Sequence, residues 1–143
     1  MNILKQNAGC IFLFIIVLLI LFFVLRNQVK EYYEQLDPVL FKIKENLKPL
    51  HSSVEKLKFF EGKKSYTINK KKIYLCLKDE NGEYYDYNML IYVALHELSH
   101  VLCDEIGHTP KFHRIFEKIL KQAELLKIYN PNIPIVKNYC GHH

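Results

Sequence analysis

Eighteen consecutive residues, AGCIFLFIIVLLILFFVL from Ala8 to Leu25, carry no charge and no strongly polar side chain. As a helix rising about 1.5 Å per residue they span roughly 27 Å, close to the roughly 30 Å of a bilayer's hydrocarbon core. Lys5 and Asn7 close one end of the run; Arg26, Asn27 and Gln28 close the other. A cleaved signal peptide has a shorter apolar region, about 7–15 residues, followed by small side chains. Here Phe22, Phe23 and Leu25 stand where small residues are needed. The run therefore predicts a single-pass, uncleaved anchor over residues 1–27, with 8–25 in the membrane. Basic residues nearly balance across it, the terminal amine and Lys5 against Arg26 and Lys30, so charge does not fix the side that carries the rest of the chain.

About 118 residues follow, enough for one small domain. The net charge of +5 comes almost wholly from lysine, with arginine only at Arg26 and Arg114. Lysines cluster at Lys63-Lys64 and Lys70-Lys71-Lys72. Without arginine or interleaved stacking aromatics such clusters read as a solvated rim, so a nucleic-acid partner is unsupported. Cys10, Cys76, Cys103 and Cys140 form no CxxC pair, which leaves a zinc ribbon without support. Their density is too low for a disulfide scaffold, and Cys76 and Cys103 read as small buried apolar residues.

Beyond the anchor the pattern is α+β. Residues 28–62 read as a helical connector. In it, Asp37-Pro38 supplies an N-cap and first-turn proline, Pro49 ends a segment, Ser52 to Glu55 fits a capping box and Gly62 is a stop. Residues 63–143 then form the working domain. SYTI (65–68) and IYLCL (73–77) read as short strands joined by a turn at Asn69 and the lysines, giving a small antiparallel sheet. Asp79-Glu80-Asn81-Gly82 is a second turn. From Tyr87 to Asp104 apolar residues recur around most of a helix, which predicts burial. Thr109-Pro110 starts a final helix whose core face is Phe112, Ile115, Phe116, Ile119, Ala123 and Leu126, ended by Asn130-Pro131.

The buried helix carries HELSH. His96 and His100, at i and i+4, project from one face and can share one metal ion. Glu97, beside the first ligand, can take a proton from a water that zinc activates. Two imidazoles and a carboxylate on a buried helix are costly without a partner, and a metal resolves that cost. Gly107 then permits a reversal that brings His108 back as third ligand. His113 and Glu105 are the alternatives, and Asp104 and Glu105 could orient a ligating ring. A closed structural site would need a fourth ligand such as Cys103 or Cys140 and would leave Glu97 without a purpose. Tyr139 is a candidate hydroxyl for stabilising an oxyanion.

HELSHVLCDEIGHTPKFHRIF resembles the SprT-like and WLM-type zinc metalloproteases, in which HExxH is followed by a glycine-histidine turn and a phenylalanine. IYLCLKDENGEYYDYNMLIYVALHEL resembles small WLM-like proteins, including ones of large DNA viruses. The likeness spans roughly residues 73–123. It implies a minimal zincin-like domain with Zn2+ held by His96, His100 and His108, and Glu97 as catalytic base. It also implies a protein or peptide substrate, laid along a sheet edge for which IYLCL is the candidate. The longer metzincin pattern does not fit, because Ile106 occupies its third-ligand position. Relatives of this type are linked to proteolysis of DNA-crosslinked proteins, a role that the anchor and the lack of a ribbon put at a distance. The expectation is a membrane-anchored zinc endopeptidase. Its rivals are a DNA–protein-crosslink protease and a non-catalytic, zinc-stabilised binding protein.

Overall fold

The computed structural model describes residues 2–34 and 37–141, with the side chains of 2–7, 33, 34 and 141 excepted. The chain forms two compact units, Met1–Tyr33 and Glu34–His143. The first is one long helix, α1 (Asn2–Glu34). Its stretch Ala8–Tyr32 buries nothing and is long and apolar enough to cross a membrane, a test that N-terminal signal sequences also pass. Lys5 and Asn7, expected to close its first end, have side chains outside the described residues, as does Met1.

The second unit opens with α2 (Pro38–Leu47). The Asp37 carboxylate accepts the Val39 N–H at 2.8 Å, as the capping signal predicts. Leu40, Ile43 and Leu47 share one helical face and are fully buried. Two short 3-10 turns follow, Lys48–Leu50 and Ser52–Lys56. The second is capped by the His51 ring, which accepts from the Ser53 N–H, and not by the expected Ser52 box.

The connector is not helical throughout. Lys58–Glu61 forms a strand, β1, and the boundary expected at 62/63 falls inside the second unit. Its adjacent phenylalanines hide this from a period-two reading, because both faces of the strand are covered. Phe59 enters the core. Phe60 lies on the other face, stacked on Tyr74 at 4.8 Å, and Tyr74 in turn stacks on Tyr66 at 4.8 Å. This aromatic ladder crosses all three strands.

β2 (Tyr66–Ile68) and β3 (Lys72–Leu75) form the expected antiparallel hairpin. Asn69 and Lys70 both have positive φ, 49° and 53°, and the Lys71 N–H bonds the Ile68 carbonyl at 3.0 Å. Positive φ at both central positions is the type I′ pattern, which asparagine enters readily, and three residues separate the paired Ile68 and Lys72. β1 pairs with β3 in parallel, so the sheet is mixed rather than purely antiparallel, in the order β1-β3-β2. The IYLCL strand is therefore central, and β2 takes the edge assigned to it. Ile73 and Leu75, 0% and 1% exposed, show why: β3 is the strand the core closes over.

α3 (Tyr87–Leu102), whose N-cap Asp86 accepts the Asn88 N–H, packs on the sheet. α4 (Pro110–Leu125) packs beside it through Phe112, Phe116, Ile119 and Ala123. Thr109 caps α4 as expected. The helix stops earlier than Asn130-Pro131. Lys127 turns left-handed at φ 57°, and Ile128 N–H bonds Ala123 carbonyl at 2.8 Å, a Schellman closure. Leu126 consequently leaves the core face and is 51% exposed.

Cys103 is buried and free, as expected. Cys76 is not: it forms a disulfide with Cys140. The bridge closes a separation of 64 residues. On the chain-entropy account such a loop contributes about 4 kcal/mol by restricting the unfolded chain. Cys140→Ser should lower the urea-unfolding free energy by about that amount; an oxidised wild type no more stable than the variant would show that the tail imposes no such constraint.

Candidate metal centre and cleft

The helical rise places His96 and His100 one turn apart on α3, with ring centroids 4.9 Å apart. α3 ends at Leu102, and the chain reverses through Gly107, whose φ of +84° suits glycine. That reversal returns His108 to the helix. Its Nε2 lies 3.0 Å from Nε2 of His96 and 3.2 Å from Nε2 of His100. Among the described residues these three form a donor group, with ligand atoms all within 4.8 Å of one another.

Phe112 is the floor of this cluster. The ring is 1% exposed and stacks on His100 at 4.3 Å, with His96 and His108 edge-on at 5.0 and 4.9 Å. Phe116 adds a second aromatic contact to His96 at 5.2 Å. Lys111 ties the reversing loop to α4 through an ion pair with Asp104 at 2.6 Å. The Lys70 ammonium donates to the Cys103 carbonyl, joining the β2–β3 turn to the end of α3.

Burial, reinforced by the neighbouring His100, His108 and His113, pulls the His96 imidazole down to about 4. Burial, with His108, also lowers His100. Both rings are thus neutral near pH 7, the form that ligates metals. Hydrogen bonding alone does not account for the cluster. An imidazole nitrogen offers one lone pair or one proton, yet Nε2 of His108 faces two other Nε2 atoms at bonding distance. Three ligands held about 2.0–2.1 Å from a tetrahedral ion would stand about 3.3 Å apart. The donor set fits a metal ion.

Glu97 is 5% exposed, and burial raises its carboxyl above the usual range, opposed by a hydrogen bond from Thr67. The Thr67 hydroxyl on β2 lies 2.8 Å from Glu97 Oε2 and 3.2 Å from the Glu97 carbonyl. Nothing in the sequence singled out Thr67, because the contact joins residues 30 positions apart across a sheet and a helix.

These groups open on a cleft of about 800 Å³ lined by Tyr66, Thr67, Tyr92, Val93, Ile106 and Tyr139, beside the histidines. Tyr139 reaches it, but its hydroxyl is engaged: it donates to the Cys76 carbonyl and bonds Ser65 Oγ at 2.8 Å. Burial pushes its phenol up to about 12. His113 is exposed on α4, its ring 6.4 Å from that of His108, and stands outside the donor group. Glu105 lines the cleft from its exposed rim. Cys103 is not in the donor group, and Cys140 is spent in the disulfide.

No family model matches this chain. Three relatives described as uncharacterized viral proteins do. Protein 136R of Invertebrate iridescent virus 6 is 56% identical over 87 residues, covering 59% of this chain and 49% of that protein. Protein 042R of Invertebrate iridescent virus 3 is 50% identical over 86 residues, covering 59% and 54%. Protein R325 of Acanthamoeba polyphaga mimivirus is 39% identical over 90 residues, covering 58% and 46%. The chain spans about half the length of these relatives. Among solved structures, the crystal structure of Wss1 from Saccharomyces cerevisiae is similar, with a TM-score of 0.53 and 20% identity over 63% of this chain and 77% of that one. At that identity the likeness concerns the fold: an α+β architecture in which a small three-stranded sheet backs the helix that carries the histidines.

Proposed function

We propose that the protein is a membrane-anchored zinc endopeptidase with His96, His100 and His108 as ligands and Glu97 as general base. The convergence of three imidazole Nε2 atoms beside a buried carboxylate, at the wall of an open cleft, carries this reading. Three imidazole donors suit zinc, which leaves a fourth position open in catalytic sites. Zinc bound there would polarise a peptide carbonyl and make a water acidic enough to lose its proton near neutral pH.

The chain's own residues supply the rest. Glu97 accepts the proton of the attacking water and delivers it to the departing amine. Burial raises its affinity for that proton, which suits a group that has to hold it between the two steps. The substrate is an extended segment of protein or peptide. β2 has β3 on one side and, among the described residues, no strand on the other, so its backbone is free to pair with such a segment. Tyr92, Val93 and Ile106 give the cleft apolar walls for substrate side chains.

Residues 8–25 would hold this unit at a bilayer, and the Cys76–Cys140 bridge favours the oxidising side of it. The second unit, from Glu34 onward, would act as the whole peptidase domain, with α2 and β1 as parts of it.

Two experiments test the assignment. Zinc per chain, measured on the purified protein, should fall from about one to near zero in His108→Ala and stay near one in His113→Ala. The opposite pattern would transfer the third ligand to α4. Glu97→Gln should keep zinc and lower the rate of casein cleavage by about 10²–10⁴-fold. A Glu97→Gln protein as active as wild type would remove the general base. A zinc-loaded wild type that leaves casein intact would favour a zinc-stabilised binding protein instead.

A further inference from the structure

We infer that Thr67 is a positioning residue for Glu97: its hydroxyl, presented by the edge strand, fixes the carboxylate in the orientation that proton transfer requires. The inference rests on the peptidase reading and adds to it a residue outside the HELSH helix.

A glutamate side chain has three rotatable bonds, and a backbone helix fixes none of them beyond the first. Glu97 sits on α3 and is only 5% exposed, so bulk solvent does little to orient its carboxylate. The polar side chain that meets it comes from β2. Thr67 Oγ1 stands 2.8 Å from Oε2 and 3.2 Å from the Glu97 carbonyl. One hydroxyl proton serves both contacts, and the shorter one, to the more basic acceptor, claims it. Oε2 is then committed to Thr67, which leaves Oε1 as the oxygen open to water.

Threonine suits this task because its β-branch restricts χ1, so the hydroxyl is delivered with little rotational freedom. The strand behind it is equally constrained. Thr67 faces Ile73 in the register, and the stacked rings of Tyr66 and Tyr74 pin the neighbouring pair. Two of the three proposed ligands share α3 with the base, but the base is also tied to the sheet. The same strand offers the free edge proposed to receive substrate, so the base and the substrate backbone take their positions from one element.

The experiment uses the full chain in detergent micelles, zinc-loaded, cleaving fluorogenic casein. Thr67→Val keeps shape and strand propensity at a half-buried position and removes only the hydroxyl. It should lower kcat by about tenfold or more, leave KM within about twofold, and leave zinc content unchanged. Thr67→Ser should recover kcat to within about threefold of wild type. A second readout needs no turnover. In the metal-free protein, the ¹³C carboxyl resonance of Glu97, assigned by its loss in Glu97→Gln, should move in Thr67→Val and hold its place in Thr67→Ser. The proposal is overturned by a wild-type kcat in Thr67→Val, by a loss confined to KM, by a serine variant as impaired as the valine one, or by an unmoved carboxyl signal. A zinc-loaded wild type that never cleaves casein sinks the peptidase reading and the catalytic role with it. The carboxyl signal then still decides whether Thr67 fixes Glu97.

Discussion

A helix that is apolar around most of its circumference must satisfy every polar group it takes inside. α3 is such a helix. Leu90, Ile91, Ala94, Leu95 and Leu98 are at most 1% exposed, and they commit it to lying between the sheet and α4. Yet it also carries Glu97 and Ser99 into the interior, 5% and 0% exposed. Ser99 is resolved locally, by donating to the Leu95 carbonyl at 2.8 Å one turn back. Glu97 has no such local answer, and the edge strand supplies it through Thr67. The two histidines are resolved differently again. They face the cleft, share the buried Phe112 ring beneath them, and stay neutral. The site is thus the set of places where burying α3 creates an unmet polar demand and a neighbouring element meets it.

This view explains which parts were legible in the sequence. Signals that act within a few residues were read correctly: the Asp37 and Thr109 caps, the Asn69 turn and the i, i+4 spacing of the histidines. So was the glycine ahead of His108, whose left-handed φ lies within the bend at 104–108. What failed depends on pairing across the chain. β1 was taken as helix because its two phenylalanines are covered on opposite faces, which removes the alternation that marks a strand. The parallel β1–β3 pairing then moved IYLCL from edge to centre. Cys76 was read as apolar filler because its partner lies 64 residues away, in a tail that no periodic pattern could place. Thr67 gave no signal at all: a threonine in a strand is ordinary until something buried needs its hydroxyl.

The closure of the tail bears on the site through the same logic. The disulfide loop runs from the end of β3 to Cys140 and encloses α3, the glycine reversal and α4, so all three histidines lie within it. Beside it, Tyr139 donates to the Cys76 carbonyl, and with its proton committed there the Ser65 hydroxyl is the donor between them. Ser65 in turn accepts the Cys76 N–H at 3.0 Å. If the tail left, the Cys76 carbonyl and the Ser65 hydroxyl proton would each lose Tyr139 as partner, while the Cys76 N–H would keep Ser65. A tyrosine that looked like a free catalytic hydroxyl is better understood as the clasp of this closure.

Two kinds of constraint bear on the second unit. The disulfide acts on the unfolded chain, by shortening the list of conformations open to it. A metal on the histidines would act on the folded one, since the three donors converge only there. The two are not interchangeable. Losing the bridge weakens the whole unit while leaving the donors where packing puts them, because Phe112 and the Gly107 reversal position the rings independently of the tail. Without a metal the bridge would stay intact, and the three Nε2 atoms would stand at hydrogen-bond distance with too few protons to satisfy them. The consequence is a division of labour: the covalent tie constrains the frame, packing brings the three donors together, and a metal there would answer the demand that their nitrogens leave unmet.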